Sequence, residues 1–327
     1  MRILVAGGAG YIGSITVEHL VNNGDEVTVI DNLSRGHRAA VHPAATFHRL
    51  DIGDTAALDG VFAAGRFDAV MHFCASSLVG ESVQQPLAYY QNNVCNGLTL
   101  LDAMVRHHVK RFVFSSTAAI FGEPGTATIS EDSPKSPLNP YGRSKFFFEN
   151  ILKDADEAHG VKSICLRYFN AAGATAQRGE DHRPETHLIP LVFDAARGRR
   201  KAITIFGDDY PTVDGTCVRD YIHVSDLAQA HILAAQYLAT SDRSDAFNLG
   251  NGTGFSVRQV VDAVQHVTGL NVPVEMGARR AGDPAVLVAS SEKIRKALGW
   301  NPQYPDLPQI IESAWKWVQS HPDGYQD

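Results

Sequence analysis

The sequence predicts an α/β protein in which a parallel β-sheet carries helices on both faces and is joined to a smaller mixed α/β lobe. Three observations carry this. Short runs rich in Val, Ile and Phe alternate with segments of helical length up to Asn170, a glycine turn closes the first run, and the alternation breaks after Asn170. Strand and helix alternating at this spacing specify a parallel sheet, and such sheets bind ligands at the C-terminal ends of their strands.

In order, strands are expected at RILVAG (2–7), EVTVID (26–31), TFHRLDI (46–52), DAVMHFCA (68–75), RFVFSST (111–117) and VKSICLRYFN (161–170). GSITVEHLVNNG and YYQNNVCNGLTLLDAMVRHH read as helices between them. Then comes GATAQRGEDHRPETH, a polar stretch long enough to be functional or mobile. LIPLVFDAARG and AITIFG follow as helix and strand, and YIHVSDLAQAHILAAQYL with AFNLGN form a helix and strand that return to the first domain. SVRQVVDAVQHVTG, VPVEM and SSEKIRKALGW complete the smaller lobe. The expected division is residues 1–169, with 218–249 returning to them, as a dinucleotide domain, and 170–217 with 250–327 as the lobe, with a cleft between.

Composition narrows the function classes. The 327 residues are 44% apolar and 20% charged with a formal charge of -7, and no long basic block is present, which argues against nucleic acid as a bulk partner. No run approaches the length of a membrane span, and the start lacks the pattern of a signal peptide. Cys74, Cys95, Cys165 and Cys217 form no CxxC and read as buried thiols of a reducing cytoplasm. No metal site is expected.

In VAGGAGYIGS, Gly7, Gly10 and Gly13 recur every three residues directly after a strand and at the mouth of a helix. Missing side chains let a pyrophosphate reach backbone N–H groups and the positive end of the helix, as in a Rossmann-type fold. Asp31, ending the second strand, suits the two hydroxyls of an adenosine ribose and favours NAD over NADP; Arg35 is either a surface arginine or a modifier of that choice. Asp51 and Ile52 are placed for the adenine, and Phe73 and Ala75 for the pyrophosphate and nicotinamide ribose, although Phe73 reads nearly as well as a core aromatic. Asn92 either reaches the cofactor or caps local backbone.

The fifth strand brings Ser115, Ser116 and Thr117 to the edge where a nicotinamide would lie, and Tyr141 with Lys145 opens the next helix. Residues four apart share a helix face. Hydride removal from a carbinol requires its O–H proton to leave, and a tyrosine near pKa 10 is a poor base at neutral pH. Lys145 and an oxidised nicotinamide are expected to lower it, with Thr117 bonding the same substrate oxygen.

GGAGYIG, VGESVQQPLAYYQNNV, SST, YGRSK, LRYFNAAGA, HLIP, FGDDYPTVDGTCVRDYIHVSDLA and RRAGDPA together resemble the extended short-chain dehydrogenase/reductase superfamily, and within it the family of UDP-glucose (UDP-galactose) 4-epimerases, over essentially the whole chain. The resemblance implies Tyr141 as base, Lys145 as its tuner and NAD ligand, and Thr117 as assistant. It implies Tyr11, Ile12, Asn32, Ser115 and Tyr168 beside NAD. It implies Asn170, His187, Leu188, Phe206, Leu287, diphosphate-binding Arg219 and Arg280, and ribose-binding Asp283 around UDP-glucose or UDP-galactose. Family members also imply a homodimer through helices near 88–108 and 142–158, and Phe146, Phe147 and Phe148 cannot all face one core.

The chain departs from common family residues at Ser77, Phe121, His187 and Leu287, the last two bearing on N-acetylated sugars. Related dehydratases carry an Asp-Glu pair after the hydroxyl matching Thr117. Ala118 and Ala119 stand there and cannot transfer protons.

Overall fold

The computed structural model describes residues 1–123, 125, 128–280 and 283–326. Its strands are β1 (Arg2–Ala6), β2 (Glu26–Asp31), β3 (Thr46–Arg49), β4 (Ala69–His72), β5 (Arg111–Thr117), β6 (Lys162–Tyr168), β7 (Asn170–Ala172), β8 (Ile203–Phe206), β9 (Val218–Arg219), β10 (Tyr221–His223), β11 (Asp245–Leu249), β12 (Phe255–Ser256), β13 (Val274–Gly277) and β14 (Val286–Leu287). The helices are α1 (Tyr11–Asn22), α2 (Thr55–Ala64), α3 (Val79–Gln84), α4 (Pro86–Tyr90), α5 (Gly97–Arg106), α6 (Pro140–His159), α7 (Leu188–Ala196), α8 (Val224–Thr240), α9 (Val257–Thr268), α10 (Glu292–Leu298) and α11 (Leu307–Ser320).

Seven strands form one parallel sheet in the order β11-β6-β5-β4-β1-β2-β3. The chain winds outward in both directions from β1, so the strand order reverses between β1 and β4. Ligands of such sheets bind at that reversal, beyond the carboxyl ends of the strands. One face is covered by a core that includes Val17, Leu20, Leu227 and Trp300, and the other by Leu58, Leu100, Phe112, Phe148 and Leu152. The smaller lobe has its own core around Ile189, Phe193, Val260, Val264 and Ile310, where α7, α9 and α11 meet.

Strands at 2–6, 26–31 and 111–117 fall where their hydrophobic runs place them. The third and fourth are shorter than expected because their ends, Asp51–Ile52 and Phe73–Ala75, leave the sheet as loops at the carboxyl edge. The run 161–170 divides into β6 and β7, and β7 pairs with β10 in a separate two-stranded sheet. The helix expected across 89–108 contains a π-helical turn at Gln91–Asn96, with the side chain of buried Asn93 bonded to the amide and carbonyl of Ser76, each 2.9 Å away, and to Ser144 Oγ at 3.0 Å. Such turns recur at functional sites. The two-residue strands β9, β12 and β14 are too short for any periodicity to announce them.

Candidate active site

The glycine turn is built for an anion. The amides of Tyr11, Ile12 and Gly13 open α1 without a carbonyl partner among the described residues, the first intrahelical bond being Ser14 N to Gly10 O at 2.8 Å. The glycines differ in what they are for. A Cβ on Gly7 would lie 2.5 Å from Cys74 N across the strand-order reversal, and one on Gly13 only 2.1 Å from Gly7 O, so the protein itself excludes side chains there. A Cβ on Gly10 meets nothing closer than 3.5 Å. Its bare surface faces the open end of α1, and the residues present therefore fit a dinucleotide pyrophosphate.

Asp31 is buried at the end of β2, where its carboxylate accepts from Ala9 N at 3.0 Å and Leu33 N at 2.8 Å. Burial raises its pKa and those two amides counteract the rise. Asn32 donates to Asp51 Oδ2 at 2.7 Å, while Asp51 Oδ1 accepts from Gly53 N at 2.8 Å. Ile52 is buried against the core with Leu4 and Ile30. Arg35 lies outside this group, paired with Glu81 at 3.0 Å and bonded to the carbonyl of Arg183.

Phe73 and Ala75 follow β4 on the other side of the reversal, and half-buried Asn92 donates to Asn93 Oδ1 at 3.0 Å. His231, on α8, was not foreseen. Its Nδ1 is 2.8 Å from the carbonyl of Leu227, and burial lowers its pKa to about 4, so it is neutral and its Nε2 accepts from Ser115 Oγ at 3.1 Å. The same ring packs on Phe73, 4.6 Å between centroids, and on Tyr168. One residue thus fixes three of the expected cofactor neighbours. Ser116 is a correction: it turns away and donates to Glu149, which is held by a buried bidentate bond with Arg167 at 3.0 and 2.6 Å.

Asn139 caps α6 by accepting from Gly142 N at 2.9 Å, and Pro140 occupies the first helical position, which sets Tyr141 at the helix entrance facing β5. Thr117 ends β5 and accepts from Ala119 N at 3.1 Å. Lys145 is buried, and its Nζ donates to Ser115 O at 2.8 Å while lying 4.6 Å over the ring of Phe114. The expectation that Lys145 lowers the phenol is not met by the protein alone. Burial raises Tyr141 above its ordinary value, only the neighbouring Thr117 hydroxyl opposes the rise, and the ammonium is directed to a backbone carbonyl. Burial also lowers Lys145 itself to about 8.

In the lobe, Asn170 begins β7 and its side chain has no hydrogen-bond partner among the described residues. Arg219 donates to the carbonyls of Val218 and Pro284 and forms an ion pair with Asp283. Arg280 is exposed and lies 4.0 Å over the ring of Phe206 at the end of β8. Leu287, opposite Arg219 in the β9–β14 pair, packs with Ile120, Phe121 and Ile129. Buried Asp220 holds these loops together, accepting from Asn251 N at 2.7 Å and Ala289 N at 3.0 Å. Leu188 opens α7 against the lobe core. His187 precedes it, with Nδ1 2.7 Å from Glu180 and 3.0 Å from Glu185. Burial opposes its charge, yet the two carboxylates raise it to about 10. Its Nδ1 is therefore engaged within the protein.

A shallow depression of about 550 Å³ lies at the opposite, N-terminal ends of β4, β5 and β6, where Lys110 and Arg111 are bonded to backbone carbonyls and Lys162 is paired with Asp156. The chemistry-bearing side chains are all at the carboxyl edge.

A dinucleotide turn at a strand-order reversal, with a threonine, a tyrosine and a lysine converging beside it, defines a nicotinamide-dependent enzyme acting on a carbinol. The sequence pattern of the NAD dependent epimerase/dehydratase family matches residues 3–250, and the chain belongs to that family. It is 53% identical to a UDP-glucose 4-epimerase of Halalkalibacterium halodurans over 99% of this chain and 98% of that one. Among solved structures, a UDP-glucose 4-epimerase of Bifidobacterium longum in complex with NAD+ and UDP superposes with a TM-score of 0.93 at 37% identity, covering 99% of this chain and 100% of the other. A UDP-Glc/GlcNAc 4-epimerase of Campylobacter jejuni gives 0.87 at 44% identity, covering 98% and 99%.

Proposed function

We infer that this protein catalyses the reversible inversion at C4' of UDP-glucose and UDP-galactose with a tightly held NAD. The observation that carries the reading is the placing of Tyr141 and Lys145 at the start of α6 against the carboxyl end of β5, with Lys145 Nζ donating to Ser115 O at 2.8 Å, beside a glycine turn where the amides that open α1 have no carbonyl partner among the described residues. The identity to curated 4-epimerases over the whole chain supports the substrate pair.

Residues 1–169 with 218–249 serve as the NAD domain. Gly7, Gly10, Gly13 and the amides of Tyr11 and Ile12 take the pyrophosphate, Asp31 and Asn32 the adenosine ribose, Asp51 and Ile52 the adenine, and Phe73, Ala75, Asn92, Ser115 and Tyr168 the nicotinamide half. When bound, NAD+ supplies a positive ring charge and the acceptor that takes hydride from C4' and returns it to the other face of a 4-keto sugar. Tyr141 takes the 4'-hydroxyl proton as that bond is oxidised and gives it back after the sugar has turned. Thr117 holds the reacting oxygen, and Lys145 holds the cofactor ribose. Asn170, Arg219, Arg280 and Asp283 bind the UDP, with Leu188 and Phe206 at its flanks. Strong contacts to the nucleotide beside an apolar sugar wall of Leu287 and its neighbours let the hexose rotate while UDP stays bound.

A homodimer is part of the reading. Phe147 on α6 is 49% exposed and stacks on Tyr90, and Leu87, at 81%, and Leu98, at 42%, extend the apolar surface along α4 and α5. No described helix is long and apolar enough to cross a membrane. Cys165 and Cys217 are buried as expected, whereas Cys74 is half-buried and Cys95 exposed; that all four thiols are free supports a cytoplasmic location. The direct test adds UDP-galactose to the purified protein without added NAD and follows UDP-glucose by nucleotide chromatography. Conversion to a mixture of the two is expected, and no conversion, with NAD shown to be bound, defeats the reading.

A further inference from the structure

Glu180, His182, Glu185 and His187, from the polar stretch ahead of α7, each bring one donor atom into a group no more than 4.8 Å across. His187 Nδ1 is 2.7 Å from Glu180 Oε1 and 3.0 Å from Glu185 Oε1. His182 Nδ1 is 3.1 Å from Glu180 Oε1 and 3.8 Å from Glu185 Oε2. Four ligands at the usual zinc distances of about 2.0–2.1 Å stand about 3.3 Å apart at the corners of a tetrahedron. The 2.7, 3.0 and 3.1 Å separations lie close to that edge, and the 3.8 Å contact is made by the second Glu185 oxygen.

The charge balance points the same way. Two carboxylates and two imidazoles, His187 having released the proton that the carboxylates otherwise hold on it, neutralise one divalent cation, in a place where the Glu180 and Glu185 side chains are only 10% and 15% exposed. Imidazole with carboxylate is a donor set suited to zinc rather than to calcium or magnesium, which take oxygen ligands. The stretch is also held by bonds outside the group. Arg178 donates to Ala40 O at 2.7 Å and pairs with Glu18, and Asp181 accepts from Tyr325 N at 2.9 Å. The four donors are thus gathered on a backbone fixed from both sides.

We propose that Glu180, His182, Glu185 and His187 form a zinc site closed by four protein ligands. It ties the start of α7 to the glycine turn, because the His182 ring stands edge-on to Tyr11, 6.1 Å between centroids, and His187 adjoins Leu188. With every tetrahedral position filled by the chain and Tyr141 elsewhere, the ion is structural: it sets the floor of the cleft and leaves the hydride chemistry to the dinucleotide.

The test uses the full-length holoprotein, stripped with a chelator, refilled with Zn²⁺ and counted by elemental mass spectrometry, with Co²⁺ as a spectroscopic substitute. One zinc per chain and the visible absorption of tetrahedral Co²⁺ are expected, and the double variant His182→Ala, Glu185→Gln is expected to bind Zn²⁺ at least about tenfold more weakly. The variant keeps all four cysteines, so thiol binding cancels in the comparison. Equal zinc content in the two folded proteins overturns the proposal. If the variant fails to fold, the unmodified protein decides alone: zinc well below one per chain, or a Co²⁺ spectrum of octahedral type, leaves these residues as histidine–glutamate ion pairs and the proposal wrong.

Discussion

The Nζ of Lys145 donates to the carbonyl of Ser115 at 2.8 Å, at the end of the strand that also carries Thr117. The ammonium is buried with a π face beneath it and no carboxylate among the described residues bonded to it, and burial holds it near 8, against 10.5 for an ordinary lysine. An unfolded chain binds that proton more readily between the two values. The cost of burying the charge is therefore full below about 8 and fades as pH climbs toward 10.5.

Lys145→Met in NAD-free protein is accordingly expected to be more stable than the unmodified chain near neutral pH. Its advantage should shrink across the interval from 8 to 10.5, while turnover falls because the cofactor ribose loses its donor. Urea denaturation of both proteins over that range checks this, and a stability difference that does not change with pH counts against the assignment.

Tyr141→Phe keeps the ring at the entrance of α6 and removes the proton acceptor. Turnover should drop by at least about 10²- to 10⁴-fold, with UDP affinity nearly unchanged by calorimetry, since no UDP-binding group is altered. Near-normal turnover would show that another group carries the proton.

The two glycines of the turn separate packing from binding. Gly10→Ala adds a methyl with 3.5 Å of clearance, so the fold should melt within a few degrees of the original while NAD recovered by mass spectrometry falls sharply. Gly13→Ala puts its methyl 2.1 Å from Gly7 O and should lower both melting temperature and NAD content. Equal NAD content in Gly10→Ala and the parent would mean that the pyrophosphate lies elsewhere.

For the sugar, Leu287 backed by Ile120 and Phe121 offers an acetamido group no hydrogen-bond partner, and the Nδ1 of His187 is already held by Glu180 and Glu185. A desolvated amide without partners is costly. We expect kcat/KM for UDP-GlcNAc and UDP-GalNAc at least about tenfold below that for UDP-glucose and UDP-galactose. Parallel measurements on Leu287→Cys and Leu287→Tyr test the attribution, because a ratio that neither substitution moves removes Leu287 from the explanation.

Phe147→Glu places a charge in the apolar surface shared with Tyr90 and Leu87. Light scattering should give twice the 35.5 kDa chain mass for the unmodified protein and a shift toward single chains for the variant. A parent that scatters as a single chain at micromolar concentration refutes the dimer.

The inner strands of the central sheet were readable because a buried parallel strand is an apolar run with clear ends. What the Tyr141 and Lys145 spacing conveyed was a shared helix face; it carried no information about which acceptor Lys145 reaches, and that acceptor lies on β5. His231 escaped notice because its role comes from α8 crossing the sheet far along the chain. The donors at 180, 182, 185 and 187 follow neither helix nor strand period, so their convergence depends on a loop path that tertiary anchors such as Asp181 with Tyr325 dictate. The pairing of Arg219 with Asp283 was hidden for a similar reason, since the strands that align them are two residues long.

The outermost position of β11 bears on how the protein is made. During synthesis the strands up to β6 leave the ribosome first, yet the free edge of β6 gains its partner only when Asp245–Leu249 emerges, after residues 169–244 have been translated. Until then an apolar strand presents unpaired amides and carbonyls to the cell, the kind of edge that recruits other nascent chains. Truncation ahead of Leu249 should therefore yield an insoluble fragment instead of a working dinucleotide module, because β11 passes the edge to a strand whose Asn248 amide is taken by Glu131 and whose Ala246 carbonyl is taken by Lys293.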